Sequence, residues 1–143
     1  MKKTRLKTID QILGIIGESH TIAVCSHMRP DGDCIGSTLG LALALLDQGK
    51  EVICWNQDHV PAKLQFLDPE QLIQSPRPIK RQFDCVIAVD SASIERLGTA
   101  QEHITNRKTL INIDHHASNT RFGDVNWIAS KEPSSGELVY QLI

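Results

Sequence analysis

The stretch "FDCVIAVD", residues 83–90, decides the fold because it is an almost unbroken apolar run that ends on an aspartate. Runs of this kind are typical of strands that are buried on both faces, and such strands occur in parallel sheets. Three further short runs are also predicted to be strands: "TIAVCSH" at 21–27, "EVICWN" at 51–56 and "TLINIDHH" at 109–116. Together the four runs predict the centre of a parallel sheet.

Helical patterns alternate with these strands. Before the first strand, apolar residues recur at i, i+3, i+4 and i+7, which predicts a helix that Gly17 ends. This stripe consists of Ile9, Ile12, Leu13 and Ile16. A second helix is predicted over residues 34–50, with Gly49 as its C-terminal cap. The leucines that share one face of this helix are Leu39, Leu43 and Leu46.

The rest of the chain completes the alternation. Prolines break residues 59–78 into a connection, and residues 91–104 predict a short helical crossover. Ser134 lies three residues before Glu137, a capping-box spacing that predicts the start of a last helix. The fold class expected from this order is α/β, with a Rossmann-like parallel β-sheet covered by helices on both faces.

Size and charge narrow the class of protein. A chain of 143 residues that is 41% hydrophobic is long enough for one domain with a real core. A formal net charge of -2 argues against a protein that grips long nucleic acid by bulk electrostatics, so a phosphate ligand needs a specific site. No run approaches the roughly 20 apolar residues of a membrane span, and the N-terminal segment lacks the features of a signal peptide. We expect no membrane partner.

The cysteines predict a reducing compartment. Cys25, Cys34, Cys54 and Cys85 lie far apart and form no CxxC pair. We therefore interpret them as reduced and mostly buried small hydrophobic residues, with a disulfide or a zinc pair as the lesser alternative. The expected location is the cytoplasm.

Acidic residues and histidines follow three of the predicted strands. Since parallel strands end at the same edge of a sheet, where ligands bind, these residues should meet there. They are His27, Asp31 and Asp33 after the first strand, Asp90 after the third, and Asp114, His115 and His116 at the end of the fourth. Each motif alone has a structural explanation, such as a turn or an N-cap for Asp90. Their coincidence at one edge favours a functional site.

The types of residue at this edge indicate which cations suit the site. Carboxylates with imidazoles and no thiolate suit manganese, magnesium or iron better than structural zinc. Four carboxylates are more than one divalent ion requires. Two ions about 3.5–4 Å apart, bridged by a shared carboxylate, would use them all and would support phosphoryl displacement. The sequence therefore predicts a two-metal centre.

The motifs resemble those of the DHH phosphoesterase family over nearly the whole chain. "HMRPDGDCIGS" at 27–37 is similar to its first motif, "AVDSA" at 88–92 to its second, and "DHH" at 114–116 to the motif that gives the family its name. Within the family, the first loop and the segment after "DHH" look most like the small bifunctional oligoribonucleases that also dephosphorylate 3′-phosphoadenosine 5′-phosphate.

The resemblance implies a role for each candidate residue. His27 and Asp31 would bind one manganese ion, and Asp33 and His115 would bind the other. Asp90 would bridge the two ions. The catalytic residues would be His116, which contacts the scissile phosphate, and Asp114, which orients the histidines. Magnesium is the alternative cofactor.

The resemblance also sets the expected function and its limits. It implies a hydrolase for short single-stranded oligonucleotides or a phosphonucleotide. The oligomeric state stays open, and a homodimer paired through exposed sheet edges or the face of the missing domain is one alternative. The alternatives are an inorganic pyrophosphatase and a non-catalytic metal- or nucleotide-binding remnant. The family's fourth metal-binding aspartate and its smaller substrate domain have no counterpart in this sequence. We therefore expect residues 1–143 to be the catalytic domain, truncated before both.

Overall fold

The computed structural model describes residues 2–143, and it describes side chains from Thr4 onward. Its centre is one sheet of six strands in the order β3-β2-β1-β4-β5-β6, with every neighbouring pair parallel. The strands are β1 (Thr21–Ser26), β2 (Glu51–Trp55), β3 (Ile73–Gln74), β4 (Phe83–Val89), β5 (Arg107–Asp114) and β6 (Val125–Ile128). The helices are α1 (Lys2–Glu18), α2 (Gly32–Asp47), α3 (Ala100–His103) and α4 (Ser135–Leu142), with 3-10 turns at Ala62–Leu67 and Ile94–Leu97.

The predicted α/β fold is confirmed, because both faces of the sheet are covered. Alternate strand residues face opposite ways, so Ile22 and Ala23 belong to different cores. One core lies under α1, α2 and α4, where Ile12 and Leu138 are fully buried. The other lies under the 3-10 turn Ile94–Leu97 and α3. The cysteines are free and buried, as predicted.

The two outermost strands of the sheet were not predicted from the sequence. β3 has only two residues, which pair with Cys54 and Trp55, and such a segment is too short to carry a periodic pattern. β6 is four residues long and alternates correctly, with Val125 and Trp127 buried. At that length the alternation is too weak to distinguish a strand from a loop.

Helix α2 buries a different face from the one that the leucine pattern suggested. Of the three leucines on the predicted face, only Leu39 is buried, whereas Leu43 and Leu46 are exposed. The core face is formed by Ile35, Leu41, Ala42 and Leu45. An almost wholly apolar helix offers several stripes, so periodicity alone could not select the buried one. The predicted cap is present, since Gly49 has a φ of 76° just past the end of α2.

The strand order places a topological switch point between β1 and β4. From β1 the chain moves to β2 on one side, and from β4 it moves to β5 on the other. In open parallel sheets, ligands bind at the carboxyl edge where the order reverses in this way. No helix within residues 2–143 is both long and apolar enough to span a bilayer.

Candidate metal centre

The loop between β1 and α2 brings three of the predicted residues to the switch point. His27 directly follows β1 and is 7% exposed. Asp31 is the N-cap of α2, because one of its carboxylate oxygens accepts a hydrogen bond of 2.9 Å from the Cys34 amide. The same oxygen lies 3.9 Å from Nε2 of His27. Asp33 lies in the first turn of α2, on the side that faces α4.

Asp90 occupies the middle of the site. It follows β4 with a φ of 53°, a left-handed conformation that few residues other than glycine, asparagine and aspartate adopt readily. Its side chain is only 2% exposed. Oδ2 lies 3.3 Å from Nε2 of His27, and Oδ1 lies 3.6 Å from Nε2 of His115. The two oxygens of one buried carboxylate therefore face two different imidazoles.

The N-terminus of α4 holds Asp33 in place. The amides of Ser135 and Gly136 donate hydrogen bonds of 2.9 and 2.8 Å to its two oxygens, and the Ser37 hydroxyl donates one of 3.1 Å. A Cβ on Gly136 would lie 3.3 Å from Oδ1 of Asp33, so the close approach favours glycine. Oδ2 of Asp33 also lies 3.5 Å from Nε2 of His115.

Backbone carbonyls orient the two inner histidines. Nδ1 of His27 lies 2.7 Å from the carbonyl oxygen of Met28, and Nδ1 of His115 lies 3.3 Å from that of Glu132. A carbonyl oxygen only accepts hydrogen bonds, so Nδ1 carries the proton in both neutral rings. The Nε2 lone pairs then face Asp90, and such a contact is stable only when a proton or a cation lies between the two acceptors.

His116 belongs to a separate hydrogen-bonded chain at the rim. Its Nδ1 lies 2.7 Å from Oδ1 of Asp114, whose Oδ2 accepts a bond of 2.7 Å from the Asn119 amide. Asn119 also donates to the carbonyl oxygen of Ser91, which fixes it to the loop after β4. Asp114 is fully buried, whereas the His116 side chain is 43% exposed. Asp114 therefore fixes a ring whose Nε2 remains free to meet a ligand.

The pKa values of Asp90 and His27 are both raised in the folded chain. Burial raises the pKa of Asp90; contact with His27 opposes that rise, while the nearby charge of Asp33 adds to it. Contact with Asp90, followed by contact with Cys34, raises the pKa of His27 to about 11. The chain thus favours a positive charge between the two side chains.

The pKa of Asp33 shifts in the opposite direction to that of Asp90. Burial acts to raise its pKa, but the amides of Ser135 and Gly136 and the Ser37 hydroxyl outweigh that effect and lower it. Asp33 is therefore held as a carboxylate at the position where the sequence analysis expected a metal ligand.

Within the part of the chain that the structure describes, two groups of donor atoms are compact enough to hold cations. His27, Cys34 and Asp90 form one group, and Asp90, His115 and His116 form the other, with the donor atoms of each group within 4.8 Å of one another. Asp90 belongs to both. Each group contains an imidazole and the shared carboxylate, donors that suit divalent cations, and neither group includes Asp31 or Asp33.

All seven predicted residues lie at one sheet edge, but the structure adds partners that the sequence analysis did not identify. Ser135 donates a bond of 2.9 Å to Asp90, and Asn119 supports Asp114. The segment around Ser135 was interpreted only as a helix cap. Cys34 was interpreted as a small hydrophobic residue, and it is buried, but it also belongs to the first donor group. The "SNT" turn that contains Asn119 carries no pattern that indicates its contact.

Comparison with known proteins assigns the family. Residues 21–143 match the model of the N-terminal domain of the DHH family. The chain is 37% identical over 123 residues to the bifunctional oligoribonuclease and PAP phosphatase NrnA of Thermus thermophilus, covering 85% of this chain and 36% of that protein. This chain therefore belongs to the DHH family.

Solved structures share the same architecture. The crystal structure of an exopolyphosphatase-related protein from Bacteroides fragilis aligns with a TM-score of 0.88 and 25% identity, over 96% of this chain and 43% of that one. Exonuclease RecJ, solved with bound manganese, aligns with a TM-score of 0.58 and 14% identity over 94% of this chain and 36% of its own, a likeness of fold. The chain thus spans well under half the length of these proteins.

Proposed function

We propose that this chain is the catalytic domain of a metal-dependent phosphoesterase that hydrolyses short oligonucleotides and 3′-phosphoadenosine 5′-phosphate. The observation that carries the proposal is the position of Asp90, whose two oxygens face His27 at 3.3 Å and His115 at 3.6 Å. The substrate class is suggested by the similarity to the bifunctional oligoribonuclease and PAP phosphatase of Thermus thermophilus.

The proposal assigns each side chain a place around two divalent cations. His27 and Asp31 would hold one ion, Asp33 and His115 would hold the other, and Asp90 would contact both. Manganese is the proposed metal because mixed carboxylate and imidazole donors suit it. Such ions supply Lewis-acid stabilisation and an activated water nucleophile for phosphoryl transfer.

His116 and Asp114 would act on the substrate side of the centre. Asp114 lies 2.7 Å from Nδ1 of His116, which leaves Nε2 of this partly exposed ring for the substrate. From there the ring can donate to a phosphate oxygen and then to the departing oxygen. Asp114 stabilises the charged ring and fixes its orientation, which makes it a positioning residue.

The length of the relatives suggests a second component of the active site. Because the chain spans 36% of the Thermus thermophilus protein, we propose that residues 1–143 form the metal-binding half of a cleft and that a further domain completes it. We also propose a cytoplasmic location, since four free cysteines suit a reducing compartment.

The test combines metal counting with catalysis. Manganese is titrated into the metal-free chain, bound ions are counted, and a labelled dinucleotide, 3′-phosphoadenosine 5′-phosphate and pyrophosphate are assayed in parallel. The same assays are run on a chain extended to the length of the relatives. We expect two ions per chain and release of mononucleotides and phosphate by at least the extended form.

Each other outcome has a definite meaning. Hydrolysis of pyrophosphate alone would replace the proposal with a pyrophosphatase. Ion binding without turnover of any substrate by either form would indicate a metal-binding remnant. Failure to bind any manganese would contradict the assignment of the metal centre itself.

A further inference from the structure

Cys34 lies beside the first metal position, which is the proposed site of the ion held by His27, Asp31 and Asp90. Its sulfur, a ring nitrogen of His27 and a carboxylate oxygen of Asp90 all lie within 4.8 Å of one another. Cys34 is 0% exposed, and the other two side chains are also buried. The three residues come from the end of β1, the first turn of α2 and the end of β4. The fold therefore brings an imidazole, a thiol and a carboxylate together from separate elements.

The other three cysteines differ from Cys34. Cys25, Cys54 and Cys85 lie within strands. Burial raises the pKa of Cys54 to about 12 and that of Cys85 to about 12, so neither thiol ionises readily. Among the described residues, none of these three belongs to a group of potential metal ligands. They serve as matched controls for Cys34.

The contacts that the Cys34 sulfur makes within the chain are long. Sγ lies 3.8 Å from the buried Asn56 amide, whose two protons have closer acceptors in the Ser26 hydroxyl at 3.0 Å and the carbonyl oxygen of His27 at 2.8 Å. The thiol donates to that same carbonyl over 3.6 Å. The sulfur is therefore not committed to a strong hydrogen bond.

Asp31 provides the contrast at the same position. Its side chain is 68% exposed, and the oxygen nearest His27 also caps α2. The first metal position thus has a hard oxygen donor at its solvent side and a soft sulfur donor at its buried side. Soft thiolates favour zinc-like cations, whereas carboxylates favour manganese and magnesium.

The geometry points to a second ligand set at this position, in which Cys34, His27 and Asp90 bind a thiophilic divalent cation such as Zn²⁺. The inference rests on the proposed metal centre. Binding replaces the S–H bond of Cys34 with a sulfur–metal bond and releases the proton to solvent, with no change of oxidation state. A thiophilic ion would thereby displace the manganese that Asp31 helps to hold.

Cadmium is the probe, because a thiolate–cadmium bond gives an ultraviolet charge-transfer band. The metal-free full chain is titrated with Cd²⁺ and, separately, with Mn²⁺, and both affinities are measured by calorimetry. We expect the band to saturate at one equivalent of Cd²⁺. In Cys34→Ala the band should be lost, and the ratio of Cd²⁺ to Mn²⁺ affinity should fall by about tenfold or more.

Cys85→Ala is the matched control, since it also removes a fully buried thiol but should keep both the band and the affinity ratio. Absence of the band in the unmodified chain, its persistence in Cys34→Ala, or an equal loss of both affinities in Cys34→Ala would overturn the inference. Cys34→Ser repeats the measurement with a closer isostere if the alanine variant unfolds. Because the readout is spectroscopic, a band without phosphoesterase turnover would contradict only the proposed function.

Discussion

The two ends of β4 each carry an aspartate, and the pKa values of the two side chains shift in opposite directions. At the amino end, Asp84 accepts bonds from the amides of His20 and Thr21 at 2.9 and 3.1 Å, and Lys108 lies 2.5 Å away. Lys108 first, then these amides, hold the pKa of Asp84 well below its usual range. The chain itself satisfies this carboxylate.

At the carboxyl end, Asp90 has no comparable cation. Among the described residues, none of the four site carboxylates forms an ion pair with a lysine or an arginine; their only ion-pair partners are histidines. Histidines alone therefore supply positive charge to a cluster of four carboxylates, and such a cluster is typical of a site where a ligand supplies more. The difference between the two ends separates a structural carboxylate from one that is arranged for a metal.

Asp90→Asn should have the largest effect on metal binding and on catalysis. Asparagine keeps the shape, tolerates the positive φ and can still accept from Ser135, but it removes the charge. We expect manganese binding to be lost and kcat/KM to fall by more than about a hundredfold. Changes to residues that only support metal ligands cost up to about a hundredfold, and loss of a ligand should cost more. Calorimetry and the dinucleotide assay measure both.

Thermal unfolding supplies the control for this variant. The metal-free form of each chain is its own reference, because Asp90→Asn removes both a buried charge and the contact that raises the pKa of His27. Manganese at about 100 times its Kd should stabilise the unmodified chain by about 2.7 kcal/mol and leave the variant unchanged. If the variant retains metal-dependent stabilisation, Asp90 is not a metal ligand.

The strand ends were predictable because the signal for each is local. Residues 83–90 and 109–116 are mostly apolar runs that end on the relevant acids and histidines, and any parallel arrangement brings those ends to one edge. The contacts of Ser135 and Cys34 were not predictable in this way. Ser135 reaches Asp33 across 102 positions of sequence, and Cys34 meets Asp90 only because β1 neighbours β4. Strand order is a property of tertiary packing, which periodicity does not encode.

Asn119→Ala should have an intermediate effect, on catalysis alone. The substitution removes the donor to Oδ2 of Asp114 but leaves the bond between Asp114 and His116. We expect kcat to fall about tenfold, in the range typical of residues that orient a site, while manganese affinity stays within about threefold of the unmodified chain. Steady-state kinetics at saturating metal measure the change. Equal losses in kcat and in metal affinity would show instead that the loop after β5 shapes the whole centre.

Asp84→Asn tests the other end of the strand and should have the smallest effect. Because the pKa of Asp84 is lowered in the folded state, its contribution to stability is fully present above the unfolded pKa of about 3.9 and is lost as the pH falls through the folded pKa. The free energy of unfolding of the unmodified chain should therefore be about 1 kcal/mol larger than that of the variant near neutral pH, in the range of an exposed ion pair. That gap should narrow below about pH 4, as urea unfolding at several pH values would show. Metal affinity should be unchanged in the variant; a fall in manganese binding would mean that the amino end of β4 is coupled to the site, and that the two aspartates are not independent.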